Sequence, residues 1–111
     1  MTIWYDLDEE KNVVPLPEGK YPDFSKSNRV VNQTNLSEKG EEVLVSTVFL
    51  GLDHSFGLNK EKGPLIFETM IFGGRYDQYQ MRYHTYKEAQ EAHYKIVDCL
   101  KKKDDPNKLF D

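Results

Sequence analysis

The fold is decided by residues 42–52, whose sequence is EVLVSTVFLGL. Nearly every position is apolar or β-branched, which favours an extended strand over a helix. A strand with so few polar residues is typical of one that is buried on both faces. We therefore place this strand at the centre of a sheet and assign the rest of the chain around it.

Three further segments have the composition of strands that flank this central one. They are residues 29–34, 65–72 and 78–84. Their links contain turn residues: Gly40 in the first, Gly63-Pro64 at the end of the second and Gly73-Gly74 at the start of the third. Short links favour antiparallel neighbours, so the sequence predicts an antiparallel meander over residues 29–84.

A long helix is predicted after the last strand. Thr85 and Glu88 fit a capping box, in which each side chain bonds to the backbone amide of the other residue. Side chains that suit a core-facing stripe then recur every three or four positions at Tyr86, Ala89, His93, Ile96 and Leu100. This stripe would lie on the sheet, and the helix would end near Lys103.

The predicted fold class is α+β, with an antiparallel β-sheet of about four to six strands packed on one long C-terminal α-helix. We expect one domain over residues 1–111, with an irregular N-terminal segment or hairpin (1–28), the sheet (29–84), the helix (85–103) and a tail (104–111). One helix covers only one face of the sheet. The second face would be covered by the N-terminal segment, through Trp4, Tyr5, Tyr21 and Phe24, or by another subunit.

Composition and charge exclude some functional classes for this protein. Fifteen Lys and Arg against nineteen Asp and Glu give a net charge of −4, which argues against a general nucleic-acid binder, because such proteins carry an excess of basic residues. No apolar run reaches the ~18 residues of a membrane span. The single cysteine, Cys99, suits a reducing compartment, so we expect a cytoplasmic protein without a membrane partner.

Five polar residues are candidates for a small catalytic site: Asp53, His54, Glu68, Arg82 and His84. Their carboxylates could hold a divalent ion while a histidine moves protons. However, their spacing matches none of the common metal or hydrolase signatures. The simpler interpretation is that Asp53 caps a loop and that His54 is a solvated surface residue.

The strand register decides which of these side chains share a face. A regular hairpin closed by residues 53–63 would place Gly51 opposite Thr69 and Asp53 opposite Phe67, with Arg82 beside Thr69 and His84 beside Phe67. Asp53, Arg82 and His84 would then lie on one face, with His54 and Glu68 on the other. A slip of one residue reverses this grouping.

Arginines and aromatic residues alternate from residue 75 onward. The candidates for protein binding in this group are Arg75, Tyr76, Tyr79, Arg82 and His84. The pattern fits ordinary cross-strand pairs with alternate tyrosines in the core. It also fits a protein interface, where Tyr and Arg are enriched. Stacking on single-stranded nucleic acid is the third interpretation, which the negative charge disfavours.

Two helical residues have reactive side chains on or near the apolar stripe. His93 fits a buried core histidine with a hydrogen bond, and a ligand role would need partners from the sheet beneath it. Cys99 lies at the flank of the stripe without an adjacent histidine, so we expect an inert thiol.

Several segments together resemble a family of small, uncharacterised proteins that are widespread in bacteriophage and prophage genomes. The matching segments are VSTVFLGLDHSFG (45–57), PLIFETMIFGG (64–74), RYHT (82–85) and AQEAH (89–93). The resemblance implies a phage origin and a setting in the host cytoplasm during infection. It implies no activity and no catalytic residues.

Three functions follow as hypotheses. The first is a non-enzymatic phage accessory protein that binds a host or phage protein, in the class that includes antagonists of CRISPR and other immunity systems. The second is a small metal-dependent hydrolase acting on a nucleotide or nucleic acid through the five polar residues. The third is a homodimeric structural protein. No cofactor is expected for the first or the third.

Overall fold

A computed structural model gives the structure of residues 3–23, 29–37, 40–53 and 63–110. Its strands are β1 (Tyr5–Leu7), β2 (Val13–Pro15), β3 (Val30–Asn35), β4 (Leu44–Phe49), β5 (Phe67–Phe72) and β6 (Gln80–Tyr83). The helix α1 spans Tyr86–Lys101, and a 3₁₀ turn follows at Pro106–Lys108.

The six strands form two antiparallel sheets. β1 and β2 make a hairpin, and the other four make a meander in the order β3-β4-β5-β6. The helix α1 packs against all four strands of the meander. The predicted α+β class, the meander and the single C-terminal helix are confirmed.

Both ends of α1 are fixed by local hydrogen bonds. At its start, the Glu88 amide donates to Thr85 Oγ1 and the Thr85 amide donates to Glu88 Oε1, which confirms the capping box. At its end, the Lys103 amide donates to the Leu100 carbonyl and the Asp104 amide to the Cys99 carbonyl. These two bonds make a Schellman motif. Among the described residues, no helix has the length and apolar character to cross a membrane.

The predicted pairing of β4 with β5 is wrong by four residues. Thr47, not Gly51, lies opposite Thr69, and Phe49, not Asp53, lies opposite Phe67. The strand ends early because Gly51 adopts a left-handed conformation, with φ of 84°. The residues beyond the strand then pair with the N-terminal hairpin: the Tyr5 amide donates to the Gly51 carbonyl.

The predicted pairing of β5 with β6 is wrong by one residue. Ile71 bonds to two successive residues, accepting from the Gln78 amide and donating to the Tyr79 carbonyl. Gln78 has a φ of 73°, so this is a β-bulge with its first residue in the left-handed region. The extra residue places Arg82 opposite Glu68 instead of beside Thr69. The slip reverses the face on which Arg82 lies.

The N-terminal hairpin extends the core on the helix side of the sheet. Tyr5, Leu7 and Val13 pack against the cluster of buried residues that joins Phe67 to Ala89. These three side chains therefore lie on the helix side, and Tyr5 does not cover the second face as one of the two expectations required. Phe24, which was expected to help, lies outside the described residues.

A chain of hydrogen bonds crosses the middle of the core. Tyr83 donates to Thr69 Oγ1 at 3.0 Å, and Thr69 Oγ1 lies 2.6 Å from Thr47 Oγ1. Thr47 Oγ1 lies 2.7 Å from Nδ1 of His93, whose Nε2 lies 2.9 Å from Thr34 Oγ1. His93, Thr47 and Thr69 have no exposed surface. The chain therefore ties all four strands of the meander to α1.

This series of hydrogen bonds determines the protonation state and the tautomer of His93. Burial raises the pKa of the Tyr83 phenol, which keeps its proton and donates it to Thr69. Because Thr69 Oγ1 accepts the Tyr83 proton, the hydroxyl proton of Thr69 must go to Thr47 Oγ1. The hydroxyl proton of Thr47 must then go to Nδ1 of His93. The proton of His93 then sits on Nε2 and points to Thr34. A second ring proton would have to point at the proton of Thr47, and burial also lowers the pKa of His93.

The free energy of unfolding should therefore fall as the pH drops below about 6.5, the ordinary pKa of histidine. In that range the unfolded chain binds a proton that the folded chain excludes, so acid favours unfolding by up to ~1.4 kcal/mol per pH unit. Urea denaturation between pH 5 and 7.5 measures the slope. The slope should persist in a His54→Gln/His84→Gln variant and disappear in His93→Gln. A slope that survives in His93→Gln would contradict this account.

The turn after β5 requires glycine for two separate reasons, which a pair of variants distinguishes. Gly73 and Gly40 have similar positive φ values, but a Cβ on Gly73 would lie 2.0 Å from the Glu42 carbonyl oxygen, whereas one on Gly40 would meet nothing within 4 Å. Gly40→Ala should cost about 1 kcal/mol, the penalty of the left-handed conformation alone. Gly73→Ala should cost clearly more in the same urea unfolding assay. Equal losses would show that the close approach is easily relieved.

Candidate functional site

Asp53 and His84 both hold the base of the connection between β4 and β5. Asp53 Oδ1 accepts from the Leu65 amide at 2.9 Å. His84 Nδ1 lies 3.1 Å from the carbonyl oxygens of Gly63 and Pro64, so Nδ1 carries the proton and donates it. The interpretation of Asp53 as a loop cap is confirmed. His54 lies outside the described residues.

Glu68 and Arg82 pair with each other instead of separating onto opposite faces. Arg82 Nε lies 2.9 Å from Glu68 Oε2. The Arg82 side chain is 34% exposed and the Glu68 side chain is 15% exposed. Both lie on the sheet face opposite α1, because each alternates with residues of the helix-side core. The predicted division, with Arg82 on one face and Glu68 on the other, is wrong because of the bulge before β6.

These polar groups do not assemble into a metal site in the described part of the chain. Within it, no three His, Cys, Asp or Glu side chains are placed to hold a metal ion together. Asp53 and His84 are bonded to backbone groups, and Glu68 is bonded to Arg82. The hydrolase hypothesis therefore gains no support from the arrangement of its described residues.

The candidates for protein binding separate into three locations. Tyr79 packs into the core beside Ile71 and Ile96, its hydroxyl donates to the Pro106 carbonyl at 3.3 Å, and burial raises its pKa. Arg82 and His84 are placed as described above. Arg75 and Tyr76 remain together in the turn after β5, with the Arg75 guanidinium 5.5 Å from the centre of the Tyr76 ring.

Arg75 and Tyr76 line a cavity of about 300 Å³, which we call the turn pocket. It lies between the β5–β6 turn, the β3–β4 connection and the C-terminal end of α1. Its apolar lining comes from Leu36, Val43, Ile71, Tyr76 and Leu100, and its exposed charged residues are Glu41, Arg75, Lys103 and Asp104. A pocket with an apolar interior and a few polar groups at its edge is typical of binding sites.

Backbone conformation shapes the turn pocket. Gly73 and Gly74 both have positive φ, which lets the turn lie against Glu42 and Val43. Lys103 also has positive φ, at 63°, in the position of the Schellman motif where glycine is preferred. A lysine there is strained by about 1 kcal/mol. The protein therefore loses some folding stability at Lys103, whose side chain lines the pocket.

Of the residues that line this pocket, sequence analysis proposed only Arg75 and Tyr76 as candidates for binding. Leu36 and Val43 come from a connection between strands, and Lys103 and Asp104 were assigned to the end of the helix and the tail. The Gly73-Gly74 pair was a signal of a tight turn, but it carried no information about what the turn would contact.

Comparison of the chain with protein-family models, with curated proteins and with solved structures finds no match.

Proposed function

We propose that this chain is a small bacteriophage accessory protein that acts by binding another protein, of the host or of the phage, and not by catalysis. The resemblance of its sequence to a phage and prophage family supports the origin. Interference with a host defence, such as CRISPR immunity, is the activity in this class that we propose to test first. The turn pocket is the surface that we assign to binding.

The observation that carries this proposal is the combination of an apolar pocket interior with Arg75 and Tyr76 at its wall. Arginine and tyrosine are enriched among the residues that dominate binding energy at protein interfaces. A cavity of about 300 Å³ accommodates a large apolar side chain of a partner. Such an anchor in a pocket, surrounded by polar contacts at the rim, is the usual arrangement of an interface hot spot.

The charges around the pocket favour a polypeptide over a nucleotide. Arg75 and Lys103 are offset by Glu41 and Asp104, so the rim carries no net charge. A phosphate-binding site needs a surplus of cations or converging amides. A peptide segment instead presents both signs of charge beside an apolar side chain, and the mixed rim can fix its orientation.

A variant of a rim residue and a matched control elsewhere on the surface test the proposal. Arg75→Glu reverses an exposed charge at the pocket, and Lys87→Glu makes the same change on an exposed residue in the first turn of α1. Tagged wild type and both variants are used to capture partners from phage-infected host cells. The partner is then purified, and its affinity is measured by calorimetry. We expect a 1:1 complex that Arg75→Glu weakens at least tenfold and Lys87→Glu leaves unchanged.

A third variant separates binding from folding. Lys103→Gly removes the left-handed strain, so it should raise the free energy of unfolding by about 1 kcal/mol while weakening the complex. A partner that binds all three variants equally would exclude the turn pocket as the site. The absence of any partner that rebinds in purified form would overturn the proposed function.

A further inference from the structure

The second face of the four-stranded sheet is partly exposed, with exposed and half-buried side chains along its strands and a buried serine near its middle. We call it the open face, and it comprises Val30, Gln33, Asn35, Leu44, Ser46, Val48, Glu68, Met70, Phe72, Gln80 and Arg82. Val30 is 46% exposed and Phe72 is 43% exposed, among the largest exposures of apolar side chains in the described residues. The buried hydrogen-bond network lies on the other side of the same strands, which faces the helix.

Apolar pairs cross the open face from strand to strand. Phe72 lies opposite Leu44, and Val48 lies opposite Val30. Met70 lies between them, opposite Ser46. Side chains directly opposite each other in a sheet are close enough for contact, so these apolar residues form cross-strand pairs on the face. The polar Ser46 and Glu68 lie between the apolar residues on the two inner strands.

The polar side chains of this face already bond to one another. Gln33 Nε2 donates to Ser46 Oγ at 3.1 Å, and Arg82 Nε donates to Glu68 Oε2 at 2.9 Å. Covering the face would therefore leave these pairs intact. Burying a polar group is costly mainly when its hydrogen bonds to water are not replaced. That cost is reduced here because these groups already bond to each other.

Charge favours a second copy of this chain as the occupant. Glu68 and Arg82 are the charged residues among those described on the open face, and they neutralise each other. Two open faces can therefore meet without repulsion, although each whole chain carries a net charge of −4. A strongly charged partner would find no complementary charges on this face.

We propose that two copies of the chain associate through their open faces to form a symmetric dimer. The two sheets would stack face to face at the spacing of about 10 Å that is usual in β-sandwiches. Each α1 helix would then lie on the outside of the dimer, because it packs on the other face of the sheet. This inference does not depend on the proposed function.

The size of the face predicts a weak dimer. Four strands about 4.8 Å apart and six residues long at about 3.4 Å per residue cover roughly 400 Å² per copy. Stable interfaces bury about 800 Å² per partner. We therefore expect weak, reversible association that is visible at high protein concentration and lost on dilution.

Sedimentation velocity of the full chain, from about 5 to 500 µM, tests the dimer. Phe72→Glu places a charge on the open face, and Tyr94→Glu makes a matched change at a residue of α1 that is 60% exposed on the far side of the molecule. Phe72→Glu should weaken the dimer at least tenfold, and Tyr94→Glu should leave it unchanged. Raising the salt concentration should strengthen association, because it screens the repulsion between chains of like charge.

A measurement on the wild type keeps the test independent of how the variants fold. On dilution, NMR amide shifts should change in β4 and β5 and stay constant in the outer face of α1. A monomer at 500 µM would overturn the inference, as would a dimer that survives Phe72→Glu or a dilution response confined to α1. A protein that is monomeric alone but uses this face for a different partner would also overturn it.

Discussion

The hydrogen bonds of His93 are the constraint on which the rest of the fold depends. Its ring bonds to Thr47 on β4 and Thr34 on β3, and the chain continues through Thr69 to Tyr83. A buried polar group without a partner costs about 1–3 kcal/mol, so a slip of any of these strands would be penalised in the core. Hydrophobic packing alone tolerates more than one strand register, whereas this series of hydrogen bonds specifies a single one.

The same register determines how the surface is used. Once β5 and β6 are aligned through Thr69 and Tyr83, Glu68 and Arg82 must face the opposite side, where they pair. Asp53 and His84 are committed to the base of the loop between β4 and β5. Among the described residues, the polar groups that suggested chemistry thus bond to backbone groups or to each other. The cavity forms elsewhere, where the β3–β4 connection and the β5–β6 turn meet the C-terminal end of α1.

The two surfaces that we assign to binding differ in physical character. The turn pocket is concave, has an apolar interior and carries charges of both signs at its edge. The open face is a sheet surface that combines apolar cross-strand pairs with bonded polar pairs, and it has no net charge among the described residues. The first suits an anchoring side chain of another polypeptide, and the second suits a copy of itself.

The sequence by itself determined the elements of this protein, because they depend on local patterns. Alternating and β-branched residues specified the strands, and Thr85, Glu88 and the apolar stripe specified the helix and its start. Only the tertiary structure decided the register and therefore the site. Residues Gly51 and Gln78 shift the strands through left-handed backbone conformations, and such shifts depend on what the neighbouring segments offer as partners. The turn pocket likewise joins residues far apart in the chain, from Leu36 to Asp104, which no local pattern connects.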